Sequence, residues 1–402
     1  MSWVVAILGL GLLIFVHEAG HFFASLAVGL RPRRFYIGFP PPLVRTKHKG
    51  IEYGIGMVPL GGFVSIPGMH RPIPHDADRR FSRAVSEAPG LAGPADRVRR
   101  ALDEGDLEAG VAALDAFEEA MADRKFSPAA LAAAEKGLTE LRDALGPDAY
   151  WKARTWKRLV AIFAGPAANI AFALVLFTFV YATVGGRASQ TVRSVTKDSP
   201  AEEVGLRAGD RIVAVDGEGV SGDELGERIV ASQGRPLVLT VVRDGNEIRL
   251  GPVSPQRTDD GYRLGIVRGG TGLPVLDAAG QAFEVSGRAT VAIGRGLGGL
   301  AVGKGRGDVA SPIGIVRGSS DAVERGAVNY VWVLAFISLS LALLNLLPLL
   351  PLDGGHILFT LIEGARGRFV RREVYERVSV VGLAIVLLLF FIGITNDIGG
   401  LT

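Results

Sequence analysis

Two histidines and a glutamate, in the string His17-Glu18-Ala19-Gly20-His21, sit within an apolar run covering residues 4–30. No other side chain in that run ionises near neutral pH. An ionisable group at bilayer depth is costly and is usually kept for function. On a helix, positions four apart project from one face, so His17 and His21 can grip one zinc ion. Glu18 then stands beside the metal as a general base for a bound water. The same string also arises by chance in proteins that bind no metal, so its setting decides. A signal peptide would carry positive charge before a short apolar core and a small-residue cleavage site after it. No Lys or Arg precedes this run, and no such site follows it. An uncleaved membrane-spanning helix is the expectation.

The chain has 402 residues, 48% of them hydrophobic. The apolar excess is concentrated in four runs: 4–30, 159–184, 330–352 and 378–394. A bilayer core needs roughly 20 apolar residues per helix, so four transmembrane helices are predicted. Pro348 and Pro351 interrupt the third. Basic residues cluster after the first run (Arg31, Arg33, Arg34, Arg45), before the second (Lys152, Arg154, Lys157, Arg158) and between the last two (Arg366, Arg368, Arg371, Arg372). The positive-inside rule makes those flanks cytoplasmic and puts both termini outside. That topology explains the basic clusters, so no nucleic-acid partner is expected. The chain has no cysteine, which excludes disulfides and thiolate metal ligands.

The loops divide by composition. Residues 31–70 hold short aromatic and β-branched stretches broken by Gly and Pro, and predict a small sheet. It can dip toward the membrane or stand as an ordinary soluble hairpin pair. Residues 71–150 are rich in Ala, Glu, Asp and Arg. Asp106 can cap a helix reaching about Asp123, and Ser127-Pro128 a second one ending at Gly146-Pro147. Leu131, Leu138, Leu141 and Leu145 would form its apolar stripe. This predicts a helical hairpin insert without chemistry of its own.

Residues 187–270 alternate short strands with turn signals at Asp216-Gly217 and Asp244-Gly245. Two short helices are expected, one opened by Ser199-Pro200-Ala201 and one over 221–231. That pattern suggests a peptide-binding module of the PDZ type. The stretch 271–329 is expected to connect it, through an amphipathic surface helix or a plain linker, to a third span over 330–356. A cytoplasmic loop (357–377) and the fourth helix with its tail (378–402) complete the order.

A zinc held by two histidines needs one more protein ligand to leave a position open for water. Asp353 is the acid set among apolar residues elsewhere, in the stretch Asn345-Leu-Leu-Pro-Leu-Leu-Pro-Leu-Asp353-Gly-Gly-His356. The third helix runs inward, and His17 and His21 lie toward the inner end of the first, so the two can meet. An Asp-Gly turn is the plainer account of Asp353 taken alone. Breaking the helix at Pro348 and Pro351 frees backbone groups, which is tolerated where they line a wet cavity. Asn345 can bond a substrate backbone or a developing oxyanion, or else make a helix–helix contact. His356 is not needed as a further ligand.

These residues resemble the site-2 protease family of zinc intramembrane metalloproteases, especially its bacterial branch acting on anti-sigma factors. The likeness rests on His17-Glu-Ala-Gly-His21, Gly38-Phe, Val58-Pro-Leu-Gly-Gly-Phe63, Trp156-Lys-Arg, Ala164-Gly-Pro-Ala-Ala-Asn169, Ser199-Pro-Ala, Gly209-Asp210-Arg-Ile, Pro312-Ile-Gly-Ile315 and the Asn345-to-Gly355 stretch. It covers nearly the whole chain except about 71–150. It implies one Zn²⁺ per chain on His17, His21 and Asp353, with Glu18 catalytic. It further implies Asn345, Gly61, Gly62 and Asn169 as substrate-binding residues, Gly61 and Gly62 lying in a sheet whose edge receives the unwound substrate. The implied partners are a single-pass transmembrane substrate already trimmed by another protease, the lipid bilayer, and a peptide at the external PDZ-like module. The implied location is the bacterial cytoplasmic membrane.

The expected fold class is therefore a polytopic α-helical membrane protein with four transmembrane helices. It adds a membrane-associated β-sheet, a helical insert and an extracytoplasmic PDZ-like α+β domain. A non-catalytic scaffold would predict a broken zinc set, and none is seen. A transporter would predict internal repeats, and no repeated halves are found.

Overall fold

The computed structural model of the chain describes residues 1–185, 187–258, 261–301, 303–309 and 311–399. In chain order, α1 (Ser2–Ala27) leads into strands β1 (Arg34–His48) and β2 (Ile51–Ser65). Four helices follow: α2 (Pro74–Glu87), α3 (Ala92–Glu104), α4 (Leu107–Ala122) and α5 (Pro128–Leu145). Then come α6 (Thr155–Val180), β3 (Arg187–Val195), α7 (Pro200–Glu203), β4 (Arg211–Val215), β5 (Glu218–Gly219) and α8 (Gly222–Ala231). Strands β6 (Leu237–Arg243), β7 (Asn246–Val253), β8 (Gln256–Thr258), β9 (Gly261–Arg263) and β10 (Ile266–Thr271) follow. The chain closes with α9 (Val275–Ala301), α10 (Pro312–Glu324), α11 (Ala327–Asn345), α12 (Asp353–Arg366) and α13 (Arg372–Gly399). Among the described residues four helical stretches are long and apolar enough to cross a membrane: Ser2–Ala27, Thr155–Gly185, Ala327–Asn345 and Arg372–Asp397.

The chain divides into two compact units. One comprises Met1–Ala171, Gly296–Ser320 and Ser338–Thr402; the other comprises Phe172–Arg295 and Asp321–Ile337. In the first, β1 and β2 are long enough to bend and pair twice. Residues 34–37 pair with 52–55 on one side and with 62–65 on the other, while 44–48 pair back onto 51–55. The two strands thus make four segments, ordered 62–65, 34–37, 52–55, 44–48, in which the outer two pairings run antiparallel and the central one, 34–37 with 52–55, runs in the same direction. Phe35 of the inner segment meets Phe15 and Phe22 of α1 at ring separations of 5.9 and 5.1 Å. Those edge contacts hold the sheet on the helix that carries the histidines.

The insert is a bundle of four helices, not the hairpin expected from its sequence. Asp106 and Ser127 cap α4 and α5 as anticipated, accepting from the Ala109 and Ala130 amides. The helices α2 and α3 escaped notice because their faces are dominated by Arg, Asp and Glu. Their apolar residues are few, but Phe81, Leu91, Val98 and Leu102 are buried with Leu114, Phe117, Leu138 and Leu141 in one core. Leu131 lies outside that core and is exposed, whereas Ala130 and Ala134 are buried. Small residues let α5 approach α2 closely, and a Cβ at Gly137 would stand 2.6 Å from that of Arg80.

In the second unit the sheet order is β10-β3-β4-β6-β7, with β5 pairing β4. Asp216-Gly217 and Asp244-Gly245 all have positive φ, as the tight turns of twisted hairpins require. Ser221 caps α8 reciprocally with Glu224. The core joins Val192, Ile212, Leu225, Leu239 and Val241. At its margin the Asp210 carboxylate accepts two hydrogen bonds from Arg243, both of 2.7 Å. The Arg243 guanidinium, with help from the Arg207 amide, holds the Asp210 carboxyl below the usual carboxylate range.

A depressed folded-state value gives stability that is present above the ordinary range, near pH 4, and lost as pH falls through the folded value. Limited proteolysis of the full-length protein between pH 2 and pH 7 should therefore expose 187–270 on acidification. Asp210→Asn should make it more susceptible at neutral pH and flatten the acid dependence.

Candidate metal centre

Each half of the site is placed by local chemistry. His17 and His21 lie one turn apart on α1, with ring centroids 4.8 Å apart and edge to face. The third apolar run stays helical only to Asn345. Pro348 and Pro351 then prevent its continuation, and a new helix, α12, starts at Asp353. A carboxylate in a first helical turn is favoured by the dipole and free amides there. The intervening 346–352 folds tightly over α12. A Cβ at Gly354 would collide with the carbonyls of Leu346 and Leu347, and one at Gly355 would stand 2.6 Å from the Leu349 carbonyl carbon. Only glycine fits at those two positions.

The three side chains converge. Asp353 Oδ2 lies 3.2 Å from His17 Nε2 and 3.3 Å from His21 Nε2. The two Nε2 atoms are 3.2 Å apart, and Asp353 Oδ2 is buried without a hydrogen bond. Among the described residues this His17–His21–Asp353 set forms a metal-competent group. At the bond lengths zinc keeps to imidazole and carboxylate, ligand atoms of a tetrahedral centre stand about 3.4 Å apart. The observed separations fit that requirement, and the fourth direction opens into a cavity of about 490 Å³.

His21 is oriented from behind. Its Nδ1 lies 2.9 Å from the Ala161 carbonyl, so Nδ1 carries the proton and donates, leaving the Nε2 lone pair for a metal. One turn further along α6, Gly165 makes the space: a Cβ there would strike the His21 imidazole. Gly20 of α1 likewise lies against Ala164 and Ala168, whose Cβ would stand 2.9 Å from an added methyl. Neither Gly165 nor the Ala161 carbonyl was singled out from sequence as part of the site. The available signal was a Gly-Pro pair inside an otherwise apolar span, since glycine within a helix has a packing reason when it persists.

Glu18 is buried and lines the same cavity, as do Asn345, Gly61 and Gly62. Gly62 lies directly against it: an added Cβ would stand 2.7 Å from Glu18 Cγ and 2.8 Å from the Tyr36 carbonyl. His356 lines the cavity too, outside the three-residue group. Asn169 does not line it. That side chain is fully buried, with both amide atoms lacking a hydrogen-bond partner, and its backbone carbonyl accepts from the Ser338 hydroxyl at 2.9 Å.

Comparison with known proteins places the chain in a family. The profile of Peptidase family M50 matches residues 5–389, and the chain belongs to that family, the site-2 proteases. A zinc metalloprotease RasP of Geobacillus kaustophilus is 28% identical over 407 residues, covering 96% of this chain and 95% of the relative. The regulator of sigma-W protease RasP of Bacillus subtilis is 28% identical over 406 residues, covering 96% of each chain. A zinc metalloprotease RasP of Bacillus licheniformis is 28% identical over 419 residues, covering 99% of both.

Gly165→Val should push the His21 ring away from its partners. Metal affinity, followed by competition with a chelating dye, should fall about 100-fold. Retention of wild-type affinity would remove α6 from the site's construction.

Proposed function

We propose that the protein is a zinc-dependent intramembrane endopeptidase that cleaves the transmembrane segment of a membrane-anchored regulator such as an anti-sigma factor. The observation that carries this reading is the meeting of His17, His21 and Asp353 beside Glu18, in one cavity bordered by a sheet edge. His17, His21 and Asp353 are the residues that would hold zinc. When bound, zinc supplies a Lewis acid that polarises a carbonyl and brings a water's pKa toward about 7.

Glu18 takes the proton from the attacking water and returns it to the leaving amine. Its burial against Gly62 keeps the carboxylate in one place between the α1 histidines and the sheet. Asn345, facing the same cavity, donates to the substrate's backbone or to the developing oxyanion. A substrate helix hides its carbonyls in internal hydrogen bonds, so it must extend before attack. The 62–65 segment ends its sheet on the cavity side. The Ser65 carbonyl accepts from the Arg33 amide at 2.7 Å, and alternation along a strand then turns the Val64 amide and carbonyl outward, the amide donating to the Glu18 carboxylate and the carbonyl facing the cavity side. An extended substrate strand pairs there and recovers main-chain bonds lost on unwinding. Gly61, next to Gly62, lines the same cavity; Asn169 acts on substrate from outside it, through α6.

The 187–270 module is read as PDZ-like and external, taking a peptide of the substrate or a partner and favouring substrates already trimmed by another protease. The protein is assigned to the bacterial cytoplasmic membrane with both termini outside. The name of the Bacillus subtilis relative, a regulator of sigma-W protease, supports a regulator as substrate class.

Purified Glu18→Gln should keep one zinc per chain and lose cleavage of a single-pass substrate by at least about 100-fold. Equal cleavage by both proteins would overturn the catalytic assignment. Val64→Pro removes the amide that donates to the Glu18 carboxylate, so kcat for that substrate should fall about tenfold while zinc content stays unchanged. A kcat that does not move would detach the sheet from the positioning of Glu18.

A further inference from the structure

A second cavity, of about 290 Å³, lies away from the metal centre where the insert meets the basic ends of two spans. Arg71, Trp151, Arg158, Phe369, Arg371 and Arg372 line it, and so do Asp103 and Glu363. The span on α6 begins at Thr155, and that on α13 begins at Arg372. Trp151 and Phe369 therefore sit where interfacial aromatic residues collect, at the boundary between apolar core and headgroups.

The charges do not balance within the cavity. Arg158 donates to Glu363 at 2.6 Å, and Glu363 also accepts the Val370 amide. Arg372 donates to both Asp76 oxygens at 2.6 Å and to Glu376 at 3.0 Å. Two arginines are thus neutralised by their own carboxylates. Arg71 and Arg371 are exposed and form no ion pair among the described residues, leaving them against Asp103 alone. The cavity wall itself carries four arginines and two carboxylates. Arg71 also stacks over the Trp151 ring at 5.7 Å, which holds its guanidinium at the wall without neutralising it.

We propose that this cavity binds a phosphate monoanion, of the kind an anionic phospholipid headgroup presents at the membrane boundary. Guanidinium forks match phosphate oxygens. Basic pockets at the ends of membrane spans recognise lipid headgroups for this reason. Arg71 and Arg371 hold the anion, and the aromatic wall covers the glycerol. Free phosphate offers the same chemistry, so the test separates the two sources.

Full-length protein in detergent is titrated calorimetrically with dioctanoyl phosphatidylglycerol, dioctanoyl phosphatidylcholine and inorganic phosphate. Phosphatidylglycerol should bind at least about tenfold more tightly than phosphatidylcholine, and Arg71→Gln/Arg371→Gln should remove about that factor. Arg366→Gln/Arg368→Gln, in the same basic stretch but outside the cavity, should change affinity by less than about twofold. Inorganic phosphate that displaces phosphatidylglycerol at similar concentration assigns the site to free phosphate as well; failure to displace assigns it to lipid. Equal binding of the two lipids by wild type, with no binding of phosphate, overturns the proposal. An equal loss in both double variants overturns it too, because the attraction is then diffuse surface charge.

Discussion

Two imidazoles and a carboxylate at bilayer depth are unfavourable unless their lone pairs face a cation, and that requirement organises the first unit. An isolated carboxylate would take up a proton in such surroundings, and a lone imidazole would stay neutral. Their mutual distances of 3.2–3.3 Å leave no room for water between them. The arrangement makes sense as a pocket for a metal and poorly as a helix contact. Everything adjacent either brings the three atoms together or keeps competing groups away. The Ala161 carbonyl takes the His21 Nδ1 proton, so His21 cannot turn its other nitrogen inward without leaving that carbonyl unpaired.

Glycine creates the space for this convergence. Gly20 and Gly165 bring α1 and α6 together, Gly62 admits Glu18, and Gly354 and Gly355 let the broken third helix fold onto α12. Each replaces side-chain volume with backbone approach, and a glycine in a helix interior, as Gly20 and Gly165 are, costs helix propensity of about 1 kcal/mol. Small residues at helix contacts are common in membranes, where packing replaces hydrophobic collapse. A larger residue at any of them acts on the site without touching the metal.

What could be read from sequence was what depends on local spacing. The pairing of His17 with His21 follows from the helical repeat, and the break before Asp353 follows from two prolines. The caps Asp106 and Ser127, and the Asp-Gly turns of the second unit, are equally local. Asp353 itself needed an argument by exclusion, made possible by the lack of cysteine and the scarcity of acids among apolar residues. The contributions of Gly165 and Ala161 were hidden because their partner, His21, lies 140 or more residues away. The double pairing of 34–37 was hidden for a similar reason, since alternation predicts strands but not how far a long strand bends back. In the insert, α2 and α3 bury narrow stripes of Phe81, Ala84, Val98 and Leu102 under a surface of charge. Composition there reads as a solvated loop until the bundle supplies a partner.

The insert's attachment follows from how charge is spent at its two ends. Arg33, immediately before β1, donates to Asp143 at 2.7 Å and to Asp148 at 2.8 and 3.1 Å. Arg372, at the start of α13, is held by Asp76 at the start of α2. Trp151 donates to the Ala144 carbonyl at 2.7 Å, fixing the approach to α6. These contacts are partly buried and geometrically constrained, so they resist slippage better than exposed pairs. The bundle has its own apolar core, and through these contacts the root of β1 and the first turn of α13 are both tied to it. A displacement of the bundle would therefore reach β1 through Arg33 and α13 through Arg372 together, and the cavity lined by Arg71 and Arg371 lies between the insert and that second tie.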